Sequence, residues 1–202
     1  MAIQKSDSQS DRQSDSQSDS AQSAAAPPPQ PQAEVTRPQA EIVTIGDELN
    51  RGEIIDSNAA WLGERLSDPE LGFYVRFRQG ANDEPADIAA VLRAAAQRSQ
   101  VVVVSGGLGP TTDDLTVEVA AQLVGVEPVL EPEHERRMRA RFAERNFALS
   151  PNNLRQVRIP AGATVLANRH GLAPGFALQL EGATLFFMPG VPREMKPMFQ
   201  DE

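Results

Sequence analysis

Apolar runs and amphipathic helical patterns alternate along residues 41–124, which is typical of an α/β protein. The apolar runs predict three strands, at 41–45, 73–78 and 101–104. Each run is followed by a helical pattern, at 56–66, 85–98 and 115–124 respectively. The third strand consists of four valines, as expected for a central parallel strand that helices cover on both faces. Three successive βα units therefore predict a mostly parallel sheet.

The helical patterns also predict which side chains face the core. In the first helix, Asp56 or Ser57 is the N-cap, and the buried positions include Ala60, Trp61 and Leu66. The second helix places four apolar residues on one face, namely Ile88, Val91, Leu92 and Ala95.

The pattern changes after residue 131. Residues 132–147 predict a highly charged helix, whose five arginines are Arg136, Arg137, Arg139, Arg141 and Arg145. These arginines form either a solvated, ion-paired face or a phosphate-binding cluster, and the glutamates three and four positions away favour the ion-paired face. Beyond this helix, short apolar runs predict strands at 157–160, 162–166, 176–180 and 184–188, of which the last returns to the sheet.

Residues 1–40 differ in composition from the rest of the chain and predict a disordered tail. A repeat of Ser, Gln and Asp is followed by alanines, prolines and glutamines, with almost no large apolar side chain. The tail has no apolar segment of the signal-peptide type, and its four aspartates are unlike an organelle transit peptide. We therefore expect a cytoplasmic protein whose folded domain spans residues 41–202.

Composition and charge exclude several classes of function. The chain has no cysteine, which excludes disulfides and thiolate metal sites, and no apolar run is long enough to cross a membrane. The net charge is −9, and residues 41–202 carry 16 basic and 23 acidic side chains. A domain with that balance repels polyanions, so we expect no nucleic-acid partner.

The segment 105–116 carries the most specific chemical signal. It reads Ser-Gly-Gly-Leu-Gly-Pro-Thr-Thr-Asp-Asp-Leu-Thr and joins the valine strand to the third helix. Glycines let a ligand approach main-chain N–H groups, and the helix N-terminus adds partial positive charge, so the loop favours an anion. Asp113 and Asp114 would repel a bare phosphate unless a divalent cation lies between acid and ligand. Alternatively, the two acids only cap the helix and complement its dipole.

Three glycine-containing turns follow strands that we predict to lie in one sheet. They are 46–48 after the first strand, 106–114 after the third and 189–194 after the last. The carboxyl ends of parallel strands meet at one edge of the sheet, where open α/β sheets bind ligands. We therefore expect one pocket, whose ligand contacts come from Gly46, Asp47, Glu48, Ser105, Gly106, Gly107, Gly109, Thr111, Pro189, Gly190 and Glu194.

The acidic residues of these turns have alternative interpretations. Asp47 and Glu48 either bind a metal or a ligand hydroxyl, or they cap a helix or face solvent. Glu194 either serves the pocket or forms a surface ion pair with Arg193.

Five motifs in order resemble the N-terminal domain of the CinA (competence/damage-inducible protein A) family. They are Ile-Gly-Asp-Glu-Leu at 45–49 with Gly52 and Asn58, the loop at 105–116, Pro-Asn-Asn at 151–153, Asn168 with Gly-Leu-Ala-Pro-Gly-Phe at 171–176, and Pro-Gly-Val-Pro-Arg-Glu-Met at 189–195. The resemblance covers the chain from about residue 41 to its end. The wider relatives are the molybdopterin-binding, MoaB/Mog-like domains of molybdenum cofactor biosynthesis.

The resemblance implies a three-layer α/β/α sandwich that forms a homo-oligomer and binds molybdopterin, another phosphorylated pterin or a nucleotide over the glycine loop. CinA-type domains are also associated with metal-dependent hydrolysis of ADP-ribose. By that resemblance, Asp113 and Asp114 are the catalytic acids and the ligands of a divalent cation near the diphosphate. The alternative is a non-catalytic binding module, or an oligomerisation scaffold for a separate amidase partner.

Two features depart from the family pattern. Many relatives carry an acidic residue directly after the glycine or proline that ends the second strand, where this chain has Ala81, followed by Asn82 and Asp83. Either Asn82 or Asp83 replaces that acid, or the chain binds its ligand without turnover. The amidase domain of longer relatives has no counterpart before residue 202, so we do not expect amidase activity of this chain.

The two histidines give little further indication of function. His134 lies on a charged helix and His170 lies in a glycine-containing loop. We expect both to face solvent.

Overall fold

The helices and strands follow the sequence pattern, with several short elements added. The computed structural model describes residues 37–201 and contains eight strands and seven helices within that range. The strands are β1 (Gln39–Ile45), β2 (Tyr74–Ala81), β3 (Val101–Ser105), β4 (Pro128–Leu130), β5 (Arg158–Pro160), β6 (Thr164–Leu166), β7 (Gly175–Leu180) and β8 (Ala183–Met188). The helices are α1 (Asp47–Asn50), α2 (Ser57–Leu66), α3 (Pro85–Ala96), α4 (Thr116–Val124), α5 (Pro132–Glu144), α6 (Pro151–Arg155) and α7 (Pro192–Asp201). Most of the predicted disordered tail, residues 1–36, lies outside the described residues.

Six of these strands form one mixed sheet in the order β2-β1-β3-β8-β7-β6. β2, β1, β3 and β8 are parallel neighbours, whereas β7 runs antiparallel to both β8 and β6. The valine strand β3 lies between β1 and β8, as its apolar sequence predicts. The predicted α/β architecture with a mostly parallel sheet is therefore confirmed. β4 and β5 pair with each other in a separate antiparallel ribbon.

Helices cover both faces of the sheet, because alternate residues of a strand point to opposite sides. On one side, Val43 and Val104 belong to a core that includes apolar residues of α3 and α4. On the other side, Ile42 and Val103 belong to a core that includes apolar residues of α2 and α7. The result is the three-layer arrangement that the resemblance implies.

Some predicted positions differ by one or two residues from the observed ones. Ala60 is exposed, because α2 turns Ala59 and Leu62 toward the sheet instead. Trp61 is only partly buried and packs edge-on against Phe199 of α7, with the ring centroids 5.4 Å apart.

The bounds of several elements also differ from the predicted ones by one to three residues. β1 begins two residues earlier than predicted, since Gln39 and Ala40 pair with the start of β2. α5 ends at Glu144 rather than at residue 147. None of the helices between residues 37 and 201 is long and apolar enough to span a membrane.

An ion pair with a buried carboxylate connects the turn after α3 to the sheet. The carboxylate of Glu41 in β1 is fully buried and accepts hydrogen bonds from the guanidinium of Arg98 and from the side-chain amide of Gln79. The same guanidinium lies 4.0 Å from the centroid of the Phe77 ring. The hydrogen bond to Glu41 raises the pKa of Arg98 above its ordinary value.

Replacing Arg98 with leucine is expected to lower the free energy of unfolding by about 3 kcal/mol, because it leaves the buried carboxylate of Glu41 without its counter-charge. Arg93→Leu is the matched control, since Arg93 is exposed on the preceding helix and has no ion pair among residues 37–201. Urea denaturation of both variants tests this expectation. Equal losses in the two variants would show that the Glu41–Arg98 pair contributes nothing particular.

Candidate functional site

The turns after β1, β3 and β8 line one cavity at the carboxyl edge of the sheet. Its volume is about 580 Å³. The predicted site residues that line it are Gly46, Glu48, Ser105, Gly106, Gly107, Gly109, Thr111, Asp113, Asp114, Pro189, Gly190 and Glu194. Asp47 is not among the lining residues. The segment 54–58 and Asp83 also form part of the wall, so the fold brings together all three predicted turns.

The glycine loop is fixed at both ends by hydrogen bonds. The N–H of Gly106 donates to the carbonyl of Met188 at the end of β8, at 3.1 Å. The hydroxyl of Thr116, the first residue of α4, donates to the carbonyl of Gly106 at 3.1 Å. Within residues 37–201, the N–H groups of Gly107 and Leu108 have no acceptor, and both residues line the cavity. The loop can therefore offer two main-chain donors to an anion.

Asp114 holds the loop in shape. Its carboxylate accepts hydrogen bonds from the N–H of Gly109 at 2.8 Å, from the N–H of Thr111 at 2.8 Å and from the Thr111 hydroxyl at 2.5 Å. Asp113 is exposed, and among residues 37–201 its carboxylate accepts only from the hydroxyl of Thr112, at 3.3 Å. The two neighbouring acids thus differ in how many of their lone pairs remain available.

Asp47 and Asp83 form a reciprocal pair between the first and second turns. The N–H of Asp47 donates to the carboxylate of Asp83 at 3.0 Å, and the N–H of Asp83 donates to the carboxylate of Asp47 at 3.0 Å. Asp47 also forms an ion pair with Arg51. The neighbouring Glu48 lines the cavity, and its carboxylate has no hydrogen-bond partner within residues 37–201. Asp47 therefore positions the turn, while the carboxylate of Glu48 is free to meet a ligand.

Asp83 brings an acid from the turn after the second strand to the cavity. Ala81 is buried in the core at 2% exposure, whereas Asp83, two residues further on, lines the cavity. Burial, together with the nearby charges of Asp47, Glu48 and Asp114, raises the pKa of Asp83 above its ordinary value, although the hydrogen bond from the Asp47 amide opposes this. A carboxyl with a raised pKa in a cavity is a candidate proton acceptor.

Asn58 belongs to the first CinA-like motif, but the sequence pattern did not identify it as a site residue. Its side-chain amide donates to the Ser105 hydroxyl at 3.0 Å and to the carbonyl of Gly190 at 2.7 Å. It therefore connects α2 to the ends of β3 and β8. Its Oδ1 is buried without a hydrogen-bond partner in the described part of the chain, and the residue lies in the wall of the cavity. A polar residue next to a buried alanine in the first turn of an amphipathic helix is the signal that could have identified it.

Glu194, on α7, forms another part of the cavity wall. Its carboxylate accepts a hydrogen bond from the side-chain amide of Asn168 at 2.8 Å. The alternative of an ion pair with Arg193 is not found within residues 37–201. The main chain of Asn168 contacts α5, since its carbonyl accepts from Arg137 at 2.6 Å and its N–H donates to the His134 ring at 3.3 Å. Asn168 therefore links Glu194 to α5.

His134 is buried, contrary to the expectation that it faces solvent. Its side chain is 2% exposed, and its Nδ1 lies 2.5 Å from the carboxylate of Glu131, the N-cap of α5. Burial acts to raise the pKa of Glu131, but hydrogen bonds from the amides and ring of its neighbours outweigh it and lower that pKa. His170, as expected, is exposed.

The cavity is strongly acidic. Of the residues that the structure describes, six carboxylates line it, from Glu48, Asp56, Asp83, Asp113, Asp114 and Glu194, and no lysine or arginine does. Within residues 37–201, no group of three or more His, Cys, Asp or Glu side chains is arranged to hold a metal ion. Carboxylates and the orphaned oxygen of Asn58 are hard donors, which suit a divalent cation bound by one or two carboxylates together with ligand phosphates.

Comparison with known proteins identifies relatives with this fold and sequence. Residues 41–202 match a family described as "Probable molybdopterin binding domain". A CinA-like protein of Anaeromyxobacter sp. (strain Fw109-5) is 46% identical over 156 residues, which cover 77% of this chain and 38% of that protein. The chain therefore spans about two fifths of the length of the curated relatives it matches.

Solved structures of related proteins have a similar fold. The CinA protein of Thermoplasma acidophilum superposes with a TM-score of 0.72 at 31% identity, over 82% of this chain and 95% of that chain. The molybdopterin biosynthesis enzyme MoaB of Thermus thermophilus superposes with a TM-score of 0.52 at 22% identity, over 81% of this chain and 87% of that chain. The match to MoaB supports the fold alone.

Proposed function

Because the chain belongs to the molybdopterin-binding domain family as a CinA-like member, we propose that its cavity binds a phosphorylated pterin or nucleotide and hydrolyses ADP-ribose-type diphosphates with a divalent cation. The observation that carries this proposal is the combination of six carboxylates with two free main-chain donors in one cavity within the described residues. The donors of Gly107 and Leu108 suit a phosphate, whereas the carboxylates repel it. A divalent cation bound between the carboxylates and the phosphate would offset this repulsion.

Glu48 and Asp113 are the residues proposed to hold the cation. Both line the cavity, and their carboxylates have few competing hydrogen bonds within the described part of the chain. Asp114 is less suited to this role, because three donors of the loop occupy its oxygens. When bound, the cation would neutralise charge on the diphosphate and activate water. Asp114 then acts as a positioning residue that keeps the loop amides in place.

The chain's own residues supply the remaining chemistry. The amides of Gly107 and Leu108 would hold the departing phosphate, as an oxyanion hole does. The water oxygen forms a bond to one phosphorus atom while the bridging P–O bond breaks, and Asp83 takes the proton of the water. Two phosphomonoesters result. The raised pKa of Asp83 and its place in the cavity wall support this role.

The double variant Glu48→Gln with Asp113→Asn is expected to raise the divalent cation concentration needed for half-maximal hydrolysis by about tenfold or more, while stability is unchanged. The assay incubates the purified protein with ADP-ribose, NAD and related diphosphates and several divalent metals, and resolves the product phosphates by chromatography. Glu64→Gln with Glu70→Gln is the matched control, since it removes two exposed negative charges that do not line the cavity. Wild-type metal dependence in the first double variant would show that Glu48 and Asp113 do not bind the cation. Absence of hydrolysis in the wild-type protein with every metal would reject the enzymatic proposal.

The second candidate function is a binding module without turnover. The engagement of Asp114 by the loop favours it, because that acid already has a structural role. This candidate predicts a rise in melting temperature with a pterin phosphate or nucleotide and no products from ADP-ribose. Self-association and a separate amidase partner stay predictions from the family resemblance.

A further inference from the structure

A second cavity, of about 360 Å³, adjoins the first and is lined by basic side chains. Arg141 lies in the last turn of α5, Arg145 caps the end of that helix, and Arg193 lies in the first turn of α7. His170 and the rings of Phe142 and Phe147 also line this arginine pocket. Two residues, Gln156 and Glu194, line both cavities and form the wall between them.

The arginines of this pocket have no acidic partner among the residues that the structure describes. Within residues 37–201, none of Arg141, Arg145 and Arg193 forms an ion pair or a side-chain hydrogen bond. By contrast, Arg136 and Arg139 on the same helix pair with glutamates three and four positions earlier, as the sequence predicts. The helix α5 therefore has one ion-paired face and one unpaired basic end.

Local structure explains only part of this arrangement. Cations at the end of α5 complement its dipole, which accounts for Arg141 and Arg145. Arg193 lies at the opposite, positive end of α7, where a cation is unfavourable. The nearby carboxylate of Glu194 is engaged by Asn168. Three guanidinium groups therefore line one cavity, and an anion in that cavity would reduce the repulsion between them.

We propose that the arginine pocket is a second binding subsite for a phosphomonoester group attached to an aromatic nucleoside. Guanidinium groups match phosphate oxygens in geometry and charge. Phe147 is 65% exposed and offers a ring face on which a base can stack. Because the two cavities share the lining residues Gln156 and Glu194, we place this subsite beside the site of the proposed function. This link rests on the proposed function, whereas the affinity of the pocket for a monophosphate does not.

The test measures binding of AMP, adenosine and inorganic phosphate by calorimetry, with metals removed by a chelator. We expect the wild-type protein to bind AMP and phosphate but not adenosine. Arg141→Ala with Arg145→Ala is expected to weaken AMP binding by at least about tenfold, because charge-assisted hydrogen bonds are lost. Arg136→Ala with Arg139→Ala is the matched control, with the same charge change on the same helix, and is expected to bind AMP as the wild type does. Phe147→Ala is expected to weaken AMP binding and leave phosphate binding unchanged.

The outcomes separate the subsite from the proposed function. AMP affinity that is equal in the two arginine double variants, or equal affinity for adenosine and AMP, would overturn the subsite. If ADP-ribose is not hydrolysed but AMP binding requires Arg141 and Arg145, the subsite stands and the hydrolytic function falls. If ADP-ribose is hydrolysed but the affinity for AMP does not change when Arg141 and Arg145 are replaced, the subsite is rejected and the hydrolytic function is supported.

Discussion

Replacing Gly106 with alanine is expected to lower the free energy of unfolding by about 4 kcal/mol. Gly106 has a φ of +120°, a backbone angle that residues with a side chain rarely adopt. A Cβ at this position would lie 2.1 Å from the carbonyl oxygen of Ile45. The clashing atoms of Ile45 are main chain, so they cannot move without disturbing β1. A shift of Gly106 itself would strain its hydrogen bond to Met188. The measurement is denaturant-induced unfolding followed by circular dichroism.

Gly125→Ala is the control that separates the steric clash from the backbone strain. Gly125 has a φ of +73°, and a Cβ there would meet no atom within 4 Å. We expect this variant to lose only about 1 kcal/mol, the cost of the left-handed conformation alone. Similar losses of unfolding free energy in the two variants would show that the close contact between Gly106 and β1 does not contribute to stability.

Replacing Asp83 with asparagine is expected to lower the rate of ADP-ribose hydrolysis by about 10²–10³-fold, because the proposed proton acceptor is removed. The asparagine oxygen can still accept the hydrogen bond from the Asp47 amide, so the turn is retained. Product formation at saturating metal and substrate measures the effect. Glu84→Gln changes the next, exposed residue, and this matched control is expected to keep wild-type turnover. Wild-type turnover in Asp83→Asn with every metal would exclude Asp83 from catalysis.

The same variant has an expected signature in stability. Since burial and neighbouring carboxylates raise the pKa of Asp83 above its ordinary value of 3.8, its ionised form is less favourable in the folded than in the unfolded state. The stabilising contribution is thus fully present below pH 3.8 and is lost as the pH rises through the raised pKa. Asp83→Asn is therefore expected to be more stable than wild type at pH 7, by less than about 1 kcal/mol because solvent screens this partly exposed group. The difference should disappear at a pH well below 3.8.

The fold was predictable because its main elements carry long, regular patterns. The four valines of β3 indicated a central strand, and periodic apolar positions indicated the helices α2, α3 and α4 on either face. The short elements α1, β4 and α6 have three to five residues, too few for a periodic pattern to show. The helix α7 contains Pro197 and begins at Pro192, so its sequence resembles a turn more than a helix.

The candidate site was predictable in position but not in the roles of its residues. Strand ends and glycines indicated where the three turns meet, because parallel strands place their carboxyl ends at one edge. The sequence could not show that donors of the glycine loop would form hydrogen bonds to the carboxylate of Asp114. Nor could it show that His134 would be buried against Asn168, 34 positions away. The helical spacing predicted the partners of Arg136 and Arg139, but not that Arg141 and Arg145 would line a cavity with Arg193, because that depends on packing between distant segments.

Asn168 contacts residues that line or support both cavities. Its side chain holds Glu194 in the dividing wall, while its main chain contacts Arg137 and His134 of α5. A few hydrogen bonds therefore join α5, which carries the basic end of the second cavity, to that wall. If both cavities take ligands and this path couples them, thermodynamic reciprocity requires each ligand to alter the affinity of the other by the same factor. A single asparagine thus joins the wall of one compartment to the helix that lines the next.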